Sequence, residues 1–253
     1  MTRQSIRQRV AWTVTIGLIL IALAATFWLA FIGAFDNRLY HDVPATGPAA
    51  HARPNIAAVL LSGDMGFRIG MGPDLASRIA GAGIPVTGVS SLTYFRKRRS
   101  PDQIRTFVEK AMAHARTSTG ARRLVLIGQS FGADMLHVGL SQMSAAEKRD
   151  IVLVAFVVPT DTVYYQISLG ETLEWNVPDA QAIDTARGLD WVPAICIQGQ
   201  EERNSLCPHL TQPNMWRVAL PGGHPLHRDA DAVAKVLLQA IHSASGRKPP
   251  PQG

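Results

Sequence analysis

A strand that runs into a glycine, a serine and a second glycine just before a helix leaves the backbone few options. Residues 124–136, LVLIGQSFGADML, read in this way. The aliphatic run is continuous rather than alternating, the pattern of a strand buried on both faces. The residues after it carry apolar side chains at helical spacing. A strand buried on both faces needs helices above and below it, so this one stretch points to a layered α/β architecture.

The rest of the chain repeats the pattern. Short aliphatic runs predict strands over 56–63, 84–92, 123–128, 151–159, 193–199 and 215–222. Between them, 3.6-residue periodicity predicts helices over 74–83, 100–117, 131–143 and 229–241. The second of these helices opens Ser100-Pro101, an N-cap followed by proline in the first turn. The alternation implies a mainly parallel sheet with helices on both faces, forming a domain over 55–243. Residues 36–54 read as a tether and 244–253 as a tail, while 160–190 breaks the rhythm and is the candidate cap or lid. At 47% hydrophobic and 17% charged, the composition excludes a disordered or disulfide-dense chain. No repeat, metal-ligand spacing or phosphate-loop pattern is found, so neither metal nor cofactor is expected.

The N-terminus sets topology. From Val10 to Phe35 there is no charge, a length sufficient to cross a bilayer at about 20 residues. Arg3, Arg7 and Arg9 precede the run, which predicts residues 1–9 in the cytoplasm and the rest beyond the membrane. The competing reading is a cleaved signal peptide, with Ala22-Leu23-Ala24 as a small-x-small site. An uncleaved signal anchor over 10–35 is preferred, because apolar residues continue well past Ala24. Those three arginines supply half of the formal charge of +6, and the remaining mild excess argues against a nucleic-acid partner.

Gly128-Gln129-Ser130-Phe131-Gly132 matches G-x-S-x-G in the strand-to-helix context that the motif needs. Such a turn lifts a serine hydroxyl clear of the sheet edge, making Ser130 a candidate nucleophile. A hydroxyl needs a base, and the base an orienting carboxylate, in the chain order Ser, acid, His. His224, in LPGGHPLH after the last predicted strand, is the candidate base, with His227 in reserve. The acid is sought after the strand ending ICIQG, where Glu201 and Glu202 both qualify; spacing favours Glu202. Oxyanion donors are expected from the amide of Phe131 and from the SGDMGF loop, at Asp64 or Met65. Cys196 and Cys207 flank the acid loop. Beyond the membrane they are expected to form a disulfide, against the alternative of two separate thiols.

Taken together, SGDMGF, GIPVTGVSSLTYF, LVLIGQSFGADML, CIQGQEERNSLCP and LPGGH resemble the bacterial virulence-protein family of the AcvB/VirJ type over residues 55–242. The resemblance implies an α/β-hydrolase fold placed outside the inner membrane, in the periplasm. It also implies hydrolysis of the aminoacyl ester of lysyl-phosphatidylglycerol, with phospholipid as substrate and secretion-system proteins as further partners. The family's nucleophile falls on Ser130, its histidine on His224, and the aspartate of its S-F-G-A-D motif on Asp134. Where the family has S-G-D-G-G-W, this chain has Met65 and Phe67; where it has an aspartate before Ser205, this chain has Asn204. Asp134 and Asp161 are expected to hold a cationic head group, and the run Phe95–Arg99 to lean on anionic lipid. A general esterase or thioesterase, and a non-catalytic periplasmic adaptor, are the alternative readings.

Overall fold

The computed structural model describes residues 3–31, 36–46, 55–168 and 177–246. They fall into two compact units, 1–37 and 38–253. The first is a single helix, α1 (Arg3–Phe31), whose stretch Ala11–Phe31 is long and apolar enough to cross a membrane. The hydroxyls of Thr15 and Thr26 donate to the carbonyls of Ala11 and Ala22, one turn back, which satisfies both polar groups within the helix.

The second unit contains a seven-stranded sheet. In chain order its strands are β1 (Tyr40–Val43), β2 (Ile56–Leu61), β3 (Val86–Val89), β4 (Arg123–Gln129), β5 (Ile151–Val157), β8 (Ala194–Gly199) and β9 (Met215–Leu220). In space the order is β1-β3-β2-β4-β5-β8-β9, and every pairing is parallel except β1 with β3. Helices α2 (Met71–Gly81), α4 (Pro101–Thr119), α5 (Phe131–Ser141) and α7 (Ala230–Gly246) cover it. The short α3 (Ser91–Tyr94) follows β3.

Alternation within each strand explains the layering. Ala57, Val59, Leu61, Leu124 and Leu126 face one core, with residues of α4 and α5. Ala58, Leu60, Val125 and Ile127 face the other, with α2 and α7. These side chains are almost wholly out of water, worth roughly 1.5–3 kcal/mol for each large one. Helix α4 begins as its sequence dictates. The Ser100 hydroxyl accepts from the Gln103 amide, the Gln103 side chain accepts from the Ser100 amide, and Pro101 opens the first turn.

Two segments differ from the sequence expectation. Residues 40–43, read above as part of the tether, form the antiparallel edge strand β1. Asp42 explains the attachment: one oxygen accepts from the Thr87 hydroxyl at 2.7 Å and the other lies 2.8 Å from His114 Nε2. Tyr40 stacks on the same His114 ring at 4.0 Å. The remainder of that tether, 47–54, lies outside the described residues. The candidate cap over 160–190 contains β6 (Thr162–Val163), β7 (Ala180–Gln181) and α6 (Ala182–Ala186), with β6 and β7 paired antiparallel; its residues 169–176 lie outside the described set.

The basic run also makes contacts within the domain. Arg98 pairs with Asp179, and Arg99 donates to the Tyr94 carbonyl while lying over the Tyr94 ring. The backbone of Arg99 and Phe95 bonds Tyr165 and Ile167. The run therefore holds the 160–168 segment in place.

Candidate active site

Ser130 sits between the end of β4 and the start of α5 with φ 51° and ψ −126°, a strained conformation for a residue with a side chain. The flanking glycines make the turn possible. A Cβ on Gly128 would come within 2.5 Å of Ala133 Cα and Gly132 O, and one on Gly132 within 2.4 Å of the Leu61 and Ser62 carbonyls. Helix α5 thus packs directly on the end of β2, and the serine is displayed above the sheet.

The Ser130 Oγ lies 2.8 Å from His224 Nε2, and His224 Nδ1 lies 2.6 Å from Glu202 Oε1. A carboxylate only accepts, so the proton on the ring belongs on Nδ1, leaving the Nε2 lone pair for the serine hydroxyl. The Glu202 side chain is 1% exposed and its other oxygen accepts from the Gly199 amide. Gly199 is where the acid and base loops meet: a Cβ there would fall 2.4 Å from Gly222 O. The Glu201 amide donates to that same carbonyl, tying the acid loop to the histidine loop. Glu201 itself is exposed. His227 lies over Gly222 instead of reaching Ser130. Cys196, in β8, is bonded to Cys207, which closes the loop containing Glu202.

Burial alone would lower the His224 pKa. The hydrogen bond to Glu202 and its charge, with further contributions from Asp134 and Asp64, outweigh burial and hold the imidazole above its ordinary range.

The SGDMGF loop runs beside the serine, since a Cβ on Gly63 would lie 3.6 Å from Ser130 Cβ. A buried pair anchors it. The Ser91 hydroxyl donates to the Ser62 carbonyl, and the Ser91 amide donates to the Ser62 hydroxyl at 3.0 Å. Phe67, where the family has tryptophan, lies over Gly88 and stacks on His41 at 5.1 Å. Met65 is exposed at the loop tip. Phe131 opens α5, so its amide has no acceptor within the helix.

The other expected ligands are placed differently. Asp134 is 5% exposed and occupied: its two oxygens accept from the amide and the hydroxyl of Thr160. That burial corrects its expected role as a head-group ligand and makes it a brace between α5 and the segment after β5. Asp161 is half-buried, its amide donating to the Asn204 carbonyl, and among the described residues no hydrogen bond or ion pair joins its side chain to Ser130 or His224. His137 forms a second brace, between α5 and α6. Fully buried, with its pKa pushed down to about 3 by desolvation, it meets Thr185 Oγ1 of α6 at 2.7 Å.

A seven-stranded, mainly parallel sheet bearing a serine at a strand–helix turn defines the α/β-hydrolase fold. Solved structures agree. Est1E from Butyrivibrio proteoclasticus with ferulic acid bound superposes with a TM-score of 0.56 at 10% identity, over 80% of this chain and 96% of its own. MenH from S. aureus gives 0.57 at 10% identity, over 82% and 99%. An alpha-beta serine hydrolase homologue from Coxiella burnetii gives 0.57 at 11% identity, over 80% and 90%. No curated protein matches the sequence. Residues 55–245 match the bacterial virulence protein (VirJ) family, and the chain belongs to that family.

Proposed function

We propose that this protein is a serine hydrolase that cleaves the aminoacyl ester of an aminoacylated phospholipid, with lysyl-phosphatidylglycerol as the substrate that the family resemblance implies. The observation that carries the reading is the continuous hydrogen-bonded series Ser130 Oγ, His224 Nε2, His224 Nδ1, Glu202 Oε1.

The chemistry follows from that series. His224 Nε2 takes the Ser130 proton as Oγ attacks the ester carbonyl, while Glu202 holds the ring and stabilises the imidazolium. The amide of Phe131, with Asp64 or Met65 from the neighbouring loop, is aimed at the developing oxyanion. His224 then returns the proton to the departing glycerol oxygen, which releases phosphatidylglycerol and leaves lysyl-Ser130. Water, deprotonated by His224, attacks that acyl group; the acyl–Oγ bond breaks, His224 returns the proton to Ser130 Oγ, and lysine is freed. Asp64 is close enough for its charge to act on His224, and with exposed Glu201 it favours a substrate carrying an ammonium group.

The apolar helix and the disulfide support an anchored protein whose folded domain lies in the periplasm. The test supplies the full chain in liposomes containing lysyl-phosphatidylglycerol and follows lysine release beside a panel of soluble esters. Release that is lost in Ser130→Ala supports the reading. Equal release by both proteins overturns it, and turnover of soluble esters alone assigns a general esterase.

A further inference from the structure

We infer that the carboxyl edge of the parallel strands, the edge bearing Ser130, is the face that this domain turns toward a lipid surface, and that the attachment point of its tether imposes this orientation. The inference rests on the membrane-anchored reading of α1 given above.

Strand β1 runs against its neighbours, so the chain enters the domain at the edge where the parallel strands end. Tyr40, its first residue, pairs with Val89, Val89 with Leu61, and Leu61 with Gly128, two residues before Ser130. The entry is fixed further back as well: the Ser90 amide donates to the Leu39 carbonyl. The point where the anchor attaches and the serine therefore share one edge of one sheet.

Chain length turns shared position into orientation. Eight residues separate Phe31 from Tyr40, a reach of at most about 30 Å at ~3.5 Å per residue. A domain of roughly 200 residues measures about 40 Å across by the usual size scaling. With its opposite edge against the lipid, the tether would have to run the full depth of the domain, and it is too short. Charge does not make this choice, because exposed cations occur at both edges: Arg38, Arg68 and Lys97 at one, Arg122 and Arg149 at the other. Met65, exposed two residues after the Gly63 that adjoins the serine, suits an apolar boundary. In this orientation an ester at head-group depth reaches Ser130 without leaving the bilayer.

The two native cysteines are joined, so an introduced cysteine is the sole free thiol. Lys97→Cys and Arg122→Cys are each made in full-length Ser130→Ala, labelled with a fluorophore and reconstituted in phosphatidylglycerol-containing liposomes with head-group nitroxide lipid. Quenching at position 97 is expected to exceed that at 122 several-fold, and a long Gly-Ser insertion after residue 35 should shrink the contrast. Equal quenching, stronger quenching at 122, an undiminished contrast after the insertion, or failure to float with the liposomes would overturn the proposal. Because the readout needs no turnover, it stands or falls separately from hydrolysis by the wild-type chain.

Discussion

Glu202 turns back on Gly199, accepting the Gly199 amide with one carboxylate oxygen at 3.1 Å while the other lies 2.6 Å from His224 Nδ1. One carboxyl group is thus fixed by its own strand end and fixes the imidazole in turn. Glu202→Gln keeps the shape but presents an amide to the ring, permitting the wrong tautomer. We expect kcat to fall by about 10³–10⁴ on the proposed ester, while exposed Glu201→Gln changes it little. Steady-state kinetics of the two variants decide between adjacent glutamates.

The pH dependence of activity follows from His224. The imidazole must be neutral to accept the Ser130 proton, and its pKa lies above the ordinary value of 6.5. Activity is therefore expected to rise with pH through an apparent pKa above 6.5. In Glu202→Gln the two larger raising contributions, the hydrogen bond and the charge of Glu202, are gone while burial and the smaller effects of Asp134 and Asp64 remain, so the residual activity should have its acid limb at lower pH. A limb that stays in place in the variant would show that some other group titrates.

Stability should respond to pH through His137. Its folded-state pKa, about 3, lies below the ordinary 6.5, so protons bind the unfolded chain more readily. Its effect is absent above pH 6.5. As pH falls from 6.5 toward 3 it destabilises the fold, by at most about 1.4 kcal/mol per pH unit. His137→Gln keeps a polar partner for Thr185 without the titration. Urea midpoints at pH 7 and pH 5 should differ less in the variant than in the parent.

Ser91 tests the oxyanion loop from behind. Ser91→Ala removes the hydroxyl that holds the Ser62 carbonyl, one residue before Gly63. Looser placement of the Asp64 and Met65 amides should lower kcat by roughly 10–100-fold, with KM nearly unchanged. A purely structural role would instead lower the melting temperature and leave kcat intact.

The sheet was legible because alternate residues of buried strands face two cores, and the aliphatic runs record that directly. Edge strand β1 was not, since YHDV has no apolar run and its attachment depends on Thr87 and His114, far along the chain. The positions of Ser130 and His224 could be read because each follows a strand at the same edge. Spacing favours Glu202 over Glu201 without excluding the latter; the turn to Gly199 and its contact with Gly222 decide which one faces the ring. Asp134 misled for a related reason. A carboxylate one turn after a candidate nucleophile reads as a ligand, and only the arrival of Thr160, 26 residues later, shows its oxygens occupied.

The central claim is that His224 and Glu202 make Ser130 a reactive nucleophile, and covalent labelling measures this most directly. Purified full-length protein treated with a fluorophosphonate should gain one adduct, which peptide mass spectrometry places on Ser130, with slow labelling in His224→Ala and none in Ser130→Ala. An unlabelled wild-type protein, or an adduct retained in Ser130→Ala, would contradict the account.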